Sequence, residues 1–144
     1  MKRNLPSHVV YIEDDPDDIR FYTTEFNRIE AIDKLSILSS REHLNEFERT
    51  VGAARNEDVP SLILMDWKFH DITGDKILSK LRRVDILKQK PMIVISSSDQ
   101  DKDLESAFEN GATSFIQKPE DLVDLRNMIE VLIRYWLEVC ARHP

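Results

Sequence analysis

Apolar residues in this chain fall into short unbroken runs, Val9-Val10-Tyr11-Ile12, Leu62-Ile63-Leu64-Met65 and Met92-Ile93-Val94-Ile95 among them, separated by longer stretches of helical period. Strands are expected near 8–12, 35–38, 61–65, 92–96 and 114–117, with a helix after each. Runs that are apolar at every position, with no alternation, suit strands covered by helices on both faces, as in a parallel sheet. The pattern predicts an α/β domain with five βα units.

The helices have readable starts and faces. The first begins at Pro16, with Asp15 as cap, Asp17 and Asp18 in the turn where the helix dipole favours negative charge, and Ile19, Tyr22, Phe26 and Ile29 inward. A second, near 41–55, turns Leu44, Phe47 and Val51 inward, and a polar loop from Arg55 to Asp58 leads to Pro60. Gly74 opens the third, with Ile77, Leu78 and Leu81 inward; the fourth, with Leu104, Ala107 and Phe108, stops at Asn110-Gly111. The last, about 120–142, aligns Leu122, Leu125, Ile129, Leu132, Ile133, Trp136 and Cys140 on one face. Beside it Met128, Val131, Tyr135 and Val139 form a second stripe, which suggests contact with another copy or a partner, or else a broad contact within the monomer.

Length and charge narrow the function classes. A chain of 144 residues is long enough for one self-sufficient core, and residues 7–144 are expected to form one domain after a tail at 1–6. With 20 Lys and Arg against 27 Asp and Glu, the formal charge of −7 argues against a surface that binds nucleic-acid phosphates. The single cysteine, Cys140, has no partner for an internal disulfide and reads as a small buried hydrophobe. The start, Met1-Lys2-Arg3, is followed by too short an apolar stretch for an export signal, and no segment approaches the ~20 apolar residues that span a bilayer. A soluble, cytoplasmic protein is expected.

Polar residues end the apolar runs: Glu13-Asp14-Asp15 after the first, Asp66 after the third, Ser96 after the fourth and Lys118 after the fifth. In an open parallel α/β sheet, ligands bind beyond the carboxyl ends of the strands where strand order reverses. In the order 2-1-3-4-5, strands one and three are neighbours, and Glu13 and Asp14 lie beside Asp66. Clustered carboxylates resist ionising together unless a cation sits among them. With oxygen donors only, the expected ion is hard, Mg²⁺ keeping several waters. Ser96 offers a hydroxyl and Lys118 an ammonium, and Asp66 is the natural nucleophile for a phosphoryl group, giving an acyl phosphate.

These residues carry a resemblance. Val10-Tyr11-Ile12-Glu13-Asp14-Asp15-Pro16 resembles the acidic first-strand motif of the receiver domains of two-component response regulators, and Leu62 to Asp66 resembles their phosphoacceptor strand, with Gly74 eight positions later. Pro91 to Ser97 resembles the strand that ends in a Thr or Ser switch hydroxyl, and Gly111-Ala112 through Phe115 to Lys118-Pro119 resembles the fifth-strand signature. The resemblance covers nearly the whole chain. It implies a flavodoxin-like (CheY-like) fold, phosphorylation of Asp66 by a histidine kinase or phosphotransfer protein, and Mg²⁺ held by Asp14, Asp66 and the backbone carbonyl of Lys68, with Glu13 acting through water. It further implies that Ser96 and Lys118 bind phosphoryl oxygens and that Phe115 turns inward when Ser96 moves. A cis bond before Pro119 is also implied. The polar loop before the third strand and Tyr135-Trp136-Leu137 resemble stand-alone regulators that partner phytochrome-type sensor kinases and often form homodimers; output would be a contact with a downstream protein.

The chain departs from the family pattern at His70, where proline is usual, and more mildly at Ser96 for Thr and Phe115 for Tyr. His70 reads as a surface loop residue that leaves the loop after Asp66 less rigid. Two other classes compete with the phosphoacceptor switch. A Mg²⁺-dependent phosphohydrolase commonly needs an acid two residues after the nucleophile, where this chain has Lys68; a pseudo-receiver, acting only as an interaction or dimerisation module, would not need the intact acid, hydroxyl and lysine set.

Overall fold

The computed structural model describes residues 6–55 and 58–140. Among them, strands β1 (His8–Ile12), β2 (Lys34–Leu38), β3 (Leu62–Asp66), β4 (Met92–Ser96) and β5 (Ser114–Gln117) alternate with helices α1 (Pro16–Phe26), α2 (Arg41–Thr50), α3 (Gly74–Arg82), α4 (Asp101–Glu109) and α5 (Leu122–Arg134). All strand pairs are parallel and the order is β2-β1-β3-β4-β5, so β1 and β3 flank the point where the winding reverses.

The unbroken apolar runs have the expected cause. On β3, Leu62 and Leu64 pack with Tyr22 and Phe26 of α1 and Ile129 and Ile133 of α5, while Ile63 and Met65 face Leu44 of α2, Ile77 and Leu78 of α3 and Ala107 of α4. Alternate residues of one strand thus enter two separate cores, and a polar residue on either face would be stranded. Asp15 caps α1, its carboxylate accepting from the N–H groups of Asp17 (2.8 Å) and Asp18 (3.3 Å), and Pro16 opens the helix. Gly74 is required by close approach: a Cβ there would lie 2.5 Å from the Trp67 ring. Gly111 has φ 108°, a left-handed conformation that other residues adopt at a cost.

Several faces differ from expectation. Leu104 (41% exposed) and Phe108 (47%) flank the buried Ala107 on α4 without entering the core, and Leu122 (62%) stands at the open first turn of α5. A nine-residue helix on an edge of the sheet buries a narrower stripe than its apolar content allows. The second stripe of α5 is divided: Met128 packs on the core, but Val131, Tyr135 and Val139 are exposed. After Arg134 the helix widens to a π turn over Tyr135–Val139, which shifts the register of its last residues and leaves Cys140 half-buried. Residues 141–142, the expected end of this helix, and most of the tail at 1–6 lie outside the described residues.

At the opposite end of the sheet from the acidic strand ends, His8 is buried with Nδ1 2.9 Å from the Asp58 carbonyl and Nε2 2.7 Å from Ser36 Oγ. Burial holds its pKa below the usual histidine value. The folded state therefore favours neutral His8, so its contribution to stability is present above the unfolded-state pKa near 6.5 and is lost as pH falls below it. Urea denaturation is expected to show a loss of stability from pH 7 to pH 5 that is smaller in His8→Gln; an identical pH profile in the variant refutes this.

Candidate functional site

The carboxyl ends of β1, β3, β4 and β5 meet above the reversal point, and each delivers a side chain. Glu13 follows β1 and is 2% exposed; its carboxylate accepts from the N–H groups of Asp14 (3.1 Å) and Asp15 (2.9 Å) and from the Tyr11 hydroxyl (3.4 Å). Asp66 ends β3 and accepts from the Lys68 N–H at 3.3 Å. Carboxylate oxygens of Glu13, Asp18 and Asp66 lie within 4.8 Å of one another, an all-oxygen group able to hold a divalent cation.

Burial pushes the Glu13 carboxyl up to about 8; the nearby charge of Asp66 adds to this and the Asp15 N–H bond opposes it. The same burial and the surrounding carboxylates raise Tyr11 and Tyr22 above the ordinary tyrosine value. Packing three acids over stacked tyrosines makes negative charge unwelcome, and a cation is the natural counterweight.

The fourth acid is placed differently. Asp14 turns to the loop after β3, where Oδ2 accepts from the His70 backbone N–H at 2.8 Å and lies 2.7 Å from His70 Nδ1. Hydrogen bonding to Asp14 raises the His70 pKa. The other oxygen, Oδ1, is buried without a hydrogen-bond partner among the described residues. His70 is thus a surface residue, with 82% of its side chain exposed, yet it is tied to one of the expected metal ligands.

Lys118 follows β5 and crosses the cleft to α1, with Nζ 2.6 Å from Asp18 Oδ2 and 5.9 Å from the centre of the Tyr22 ring. Its backbone N–H is held by the Ser96 carbonyl at 2.6 Å. The described chain has only trans peptide bonds, the one before Pro119 included, so the expected cis bond is absent. Ser96 is fully buried and its Oγ accepts from the Ser98 N–H at 3.0 Å; Ser98 in turn donates to Asp103 at 2.5 Å. Phe115 is half-buried against the α2–α3–α4 core. Asp18 is the residue that sequence reasoning left as a helix-dipole acid, although its spacing five residues after Glu13 and its place in the first turn of a helix rising from the cleft were visible.

A parallel sheet wound in this order, with acids, a hydroxyl and a lysine at its reversal point, defines the class of phosphoacceptor switch domains. The chain matches the response regulator receiver domain model over residues 9–130 and belongs to that family, the response regulators of two-component signalling. It is 27% identical to the response regulator Rcp1 of Synechocystis over 136 residues, 94% of this chain and 92% of Rcp1. Over 79 residues it is 32% identical to the probable methanogenesis regulatory protein FilR2 of Methanothrix harundinacea, covering 55% of this chain and about half (51%) of FilR2. The crystal structure of the phosphorylated cyanobacterial phytochrome response regulator RcpA superposes with a TM-score of 0.84 at 20% identity over 96% of this chain and 99% of RcpA. The Mn²⁺-bound form of Rcp1 gives 0.83 at 24% over 96% of this chain and all of Rcp1. Receiver domains are phosphoacceptor switches and not typical enzymes. No helix among the described residues is long and apolar enough to cross a membrane.

Proposed function

We propose that the protein relays a signal by accepting a phosphoryl group on Asp66 from a histidine kinase or a phosphotransfer protein. The observation that carries this reading is the meeting of Glu13, Asp18 and Asp66 with the Lys118 ammonium at the reversal point of the sheet. The Asp66 carboxylate attacks phosphorus; the new O–P bond forms as the bond to the donor breaks, and the donor leaves with the electron pair. Mg²⁺ neutralises the transferring group when bound. Asp66 and Asp14 would be its direct protein ligands with the Lys68 carbonyl, and Glu13 would act through water. The buried Asp14 Oδ1, without a hydrogen-bond partner among the described residues, fits that role, and Glu13 and Asp66 belong to the group of carboxylates that meet within 4.8 Å.

Ser96 and Lys118 then hold phosphoryl oxygens. Turning the Ser96 hydroxyl toward the phosphoryl group takes it from the Ser98 N–H and opens space for Phe115, which biases the surface of α4, β5 and α5, where Leu104 and Phe108 are exposed. Output is a protein contact, and the kinase is of phytochrome type by likeness to the phytochrome response regulator RcpA. The test is intact mass after incubation with Mg²⁺ and acetyl phosphate. A gain of one phosphate that is abolished in Asp66→Asn supports the reading. No gain, with no Mg²⁺ binding, turns it to a pseudo-receiver, and steady product release from a metabolite turns it to a hydrolase.

A further inference from the structure

Lys118 does not rest in open solvent. Two residues one helical turn apart on α1 form its seat: Asp18, whose Oδ2 lies 2.6 Å from Nζ, and Tyr22, whose ring lies below the ammonium at 5.9 Å. Both charged side chains are about three-quarters buried, and Tyr22 is 1% exposed. The pair closes the cleft by joining α1 to the end of β5 across 100 residues of sequence. The Asp18 carboxylate also reaches within 4.8 Å of the oxygens of Glu13 and Asp66, so the lysine already lies near the acceptor but is committed to another anion.

We propose that Asp18 is a positioning residue for Lys118: it holds the ammonium on α1 in the resting protein, and the lysine must leave it to meet the phosphoryl group on Asp66. This rests on the receiver reading above. A phosphoryl group carries up to two negative charges and three strong acceptors, and it outcompetes a single carboxylate for an ammonium. Breaking the Asp18 pair nevertheless opposes each phosphorylation event. Asp18 therefore restrains phosphorylation, and its strength sets how readily Asp66 is loaded.

Asp18→Asn keeps the size of the side chain and removes its charge; Asp17→Asn, on the exposed side of the same turn, controls for the helix dipole. At saturating Mg²⁺, Asp18→Asn is expected to take up phosphate from acetyl phosphate about two- to fivefold faster than wild type, the range a partly exposed ion pair supplies. Asp17→Asn should match wild type, and Asp18→Asn placed in a Lys118→Met background should change nothing further. Trace acylation of Lys118 with acetic anhydride, read by peptide mass, is expected to be faster in Asp18→Asn before any phosphate is present. The proposal is overturned by unchanged Lys118 acylation, by an unchanged or slower phosphorylation rate, or by an effect that persists without Lys118. Wild type that takes up no phosphate on Asp66 overturns the receiver reading and this proposal together; wild type that takes it up while Asp18→Asn merely matches it overturns the role of Asp18 alone.

Discussion

Phe26→Ala is expected to destabilise the protein by about 3–5 kcal/mol, the range for truncating a buried aromatic to alanine, with a fall in Tm on the order of 10 °C for a domain of this size. Phe26 is 1% exposed at the end of α1 and packs edge-on to Tyr11 at 5.6 Å and to Tyr22 at 5.9 Å, while Tyr11 and Tyr22 stack at 4.7 Å. This cluster fills the space between β1, β3, α1 and α5, and no neighbouring side chain can collapse into the gap without leaving its own contacts. The loss reaches the site, because the Tyr11 hydroxyl donates to Glu13 and the Tyr22 ring underlies Lys118. Phe108→Ala provides the contrast: that ring is 47% exposed on α4, and its removal is expected to change stability by within about 0.5 kcal/mol. Urea denaturation of the two variants checks both. Similar losses in both would refute the assignment of Phe26 to the core and Phe108 to the surface.

That contrast also shows where sequence reading reaches its limit. The 3.6-residue period placed Phe26 inward, and the middle of that stripe, Tyr22 and Phe26, is covered by the sheet and α5, while Ile19 and Ile29 at its ends are half-buried and Ile29 lies beyond the last turn of α1. The same period on α4 named Leu104 and Phe108 with Ala107, but a helix packed at the sheet edge covers only the position nearest the strands. Period reports which residues share a face, and coverage depends on what lies opposite. The strands were legible almost to the residue because they are buried on both sides, whereas the strand order was a condition of the reading and came with the resemblance to receiver domains, since nothing in a single run says which strand lies beside it.

In the site, Asp66, Glu13, Ser96 and Lys118 could be placed at one end of the sheet from their positions alone, since the end of a strand fixes where the next side chain stands. The engagement of Asp14 with His70 and of Lys118 with Asp18 could not. Both contacts join a strand end to a different loop or helix, and which of several nearby acids meets which base is settled by side-chain reach and rotamer. No periodicity encodes that choice. The turn to π geometry after Arg134 is equally silent in sequence, since its residues are ordinary helix formers or tolerated in helices.

Glu13 supplies the second large effect, and its direction runs against the usual behaviour of a carboxylate. In the cation-free protein, burial and the charge of Asp66 lift its pKa from 4.5 to about 8, so Glu13 carries a proton at neutral pH. Between these two values the folded state holds a proton that the unfolded chain has released, so stability falls as pH rises. The contribution is complete below 4.5 and gone above 8, and its size is on the order of a few kcal/mol. Denaturation in EDTA should therefore show stability lost between pH 5.5 and pH 8.5, and Glu13→Gln, which has no proton to lose, should not show this component. A divalent cation held at Asp66, with Glu13 beside it, would replace that proton as the counter-charge. Mg²⁺ binding at pH 7 is then expected to release up to one proton per ion, to tighten as pH approaches 8, and to remove most of the alkaline loss of stability. Calorimetric titration with Mg²⁺ in two buffers of different ionisation enthalpy counts the proton directly. A count that stays the same in Glu13→Gln would place the proton on another group and defeat the assignment.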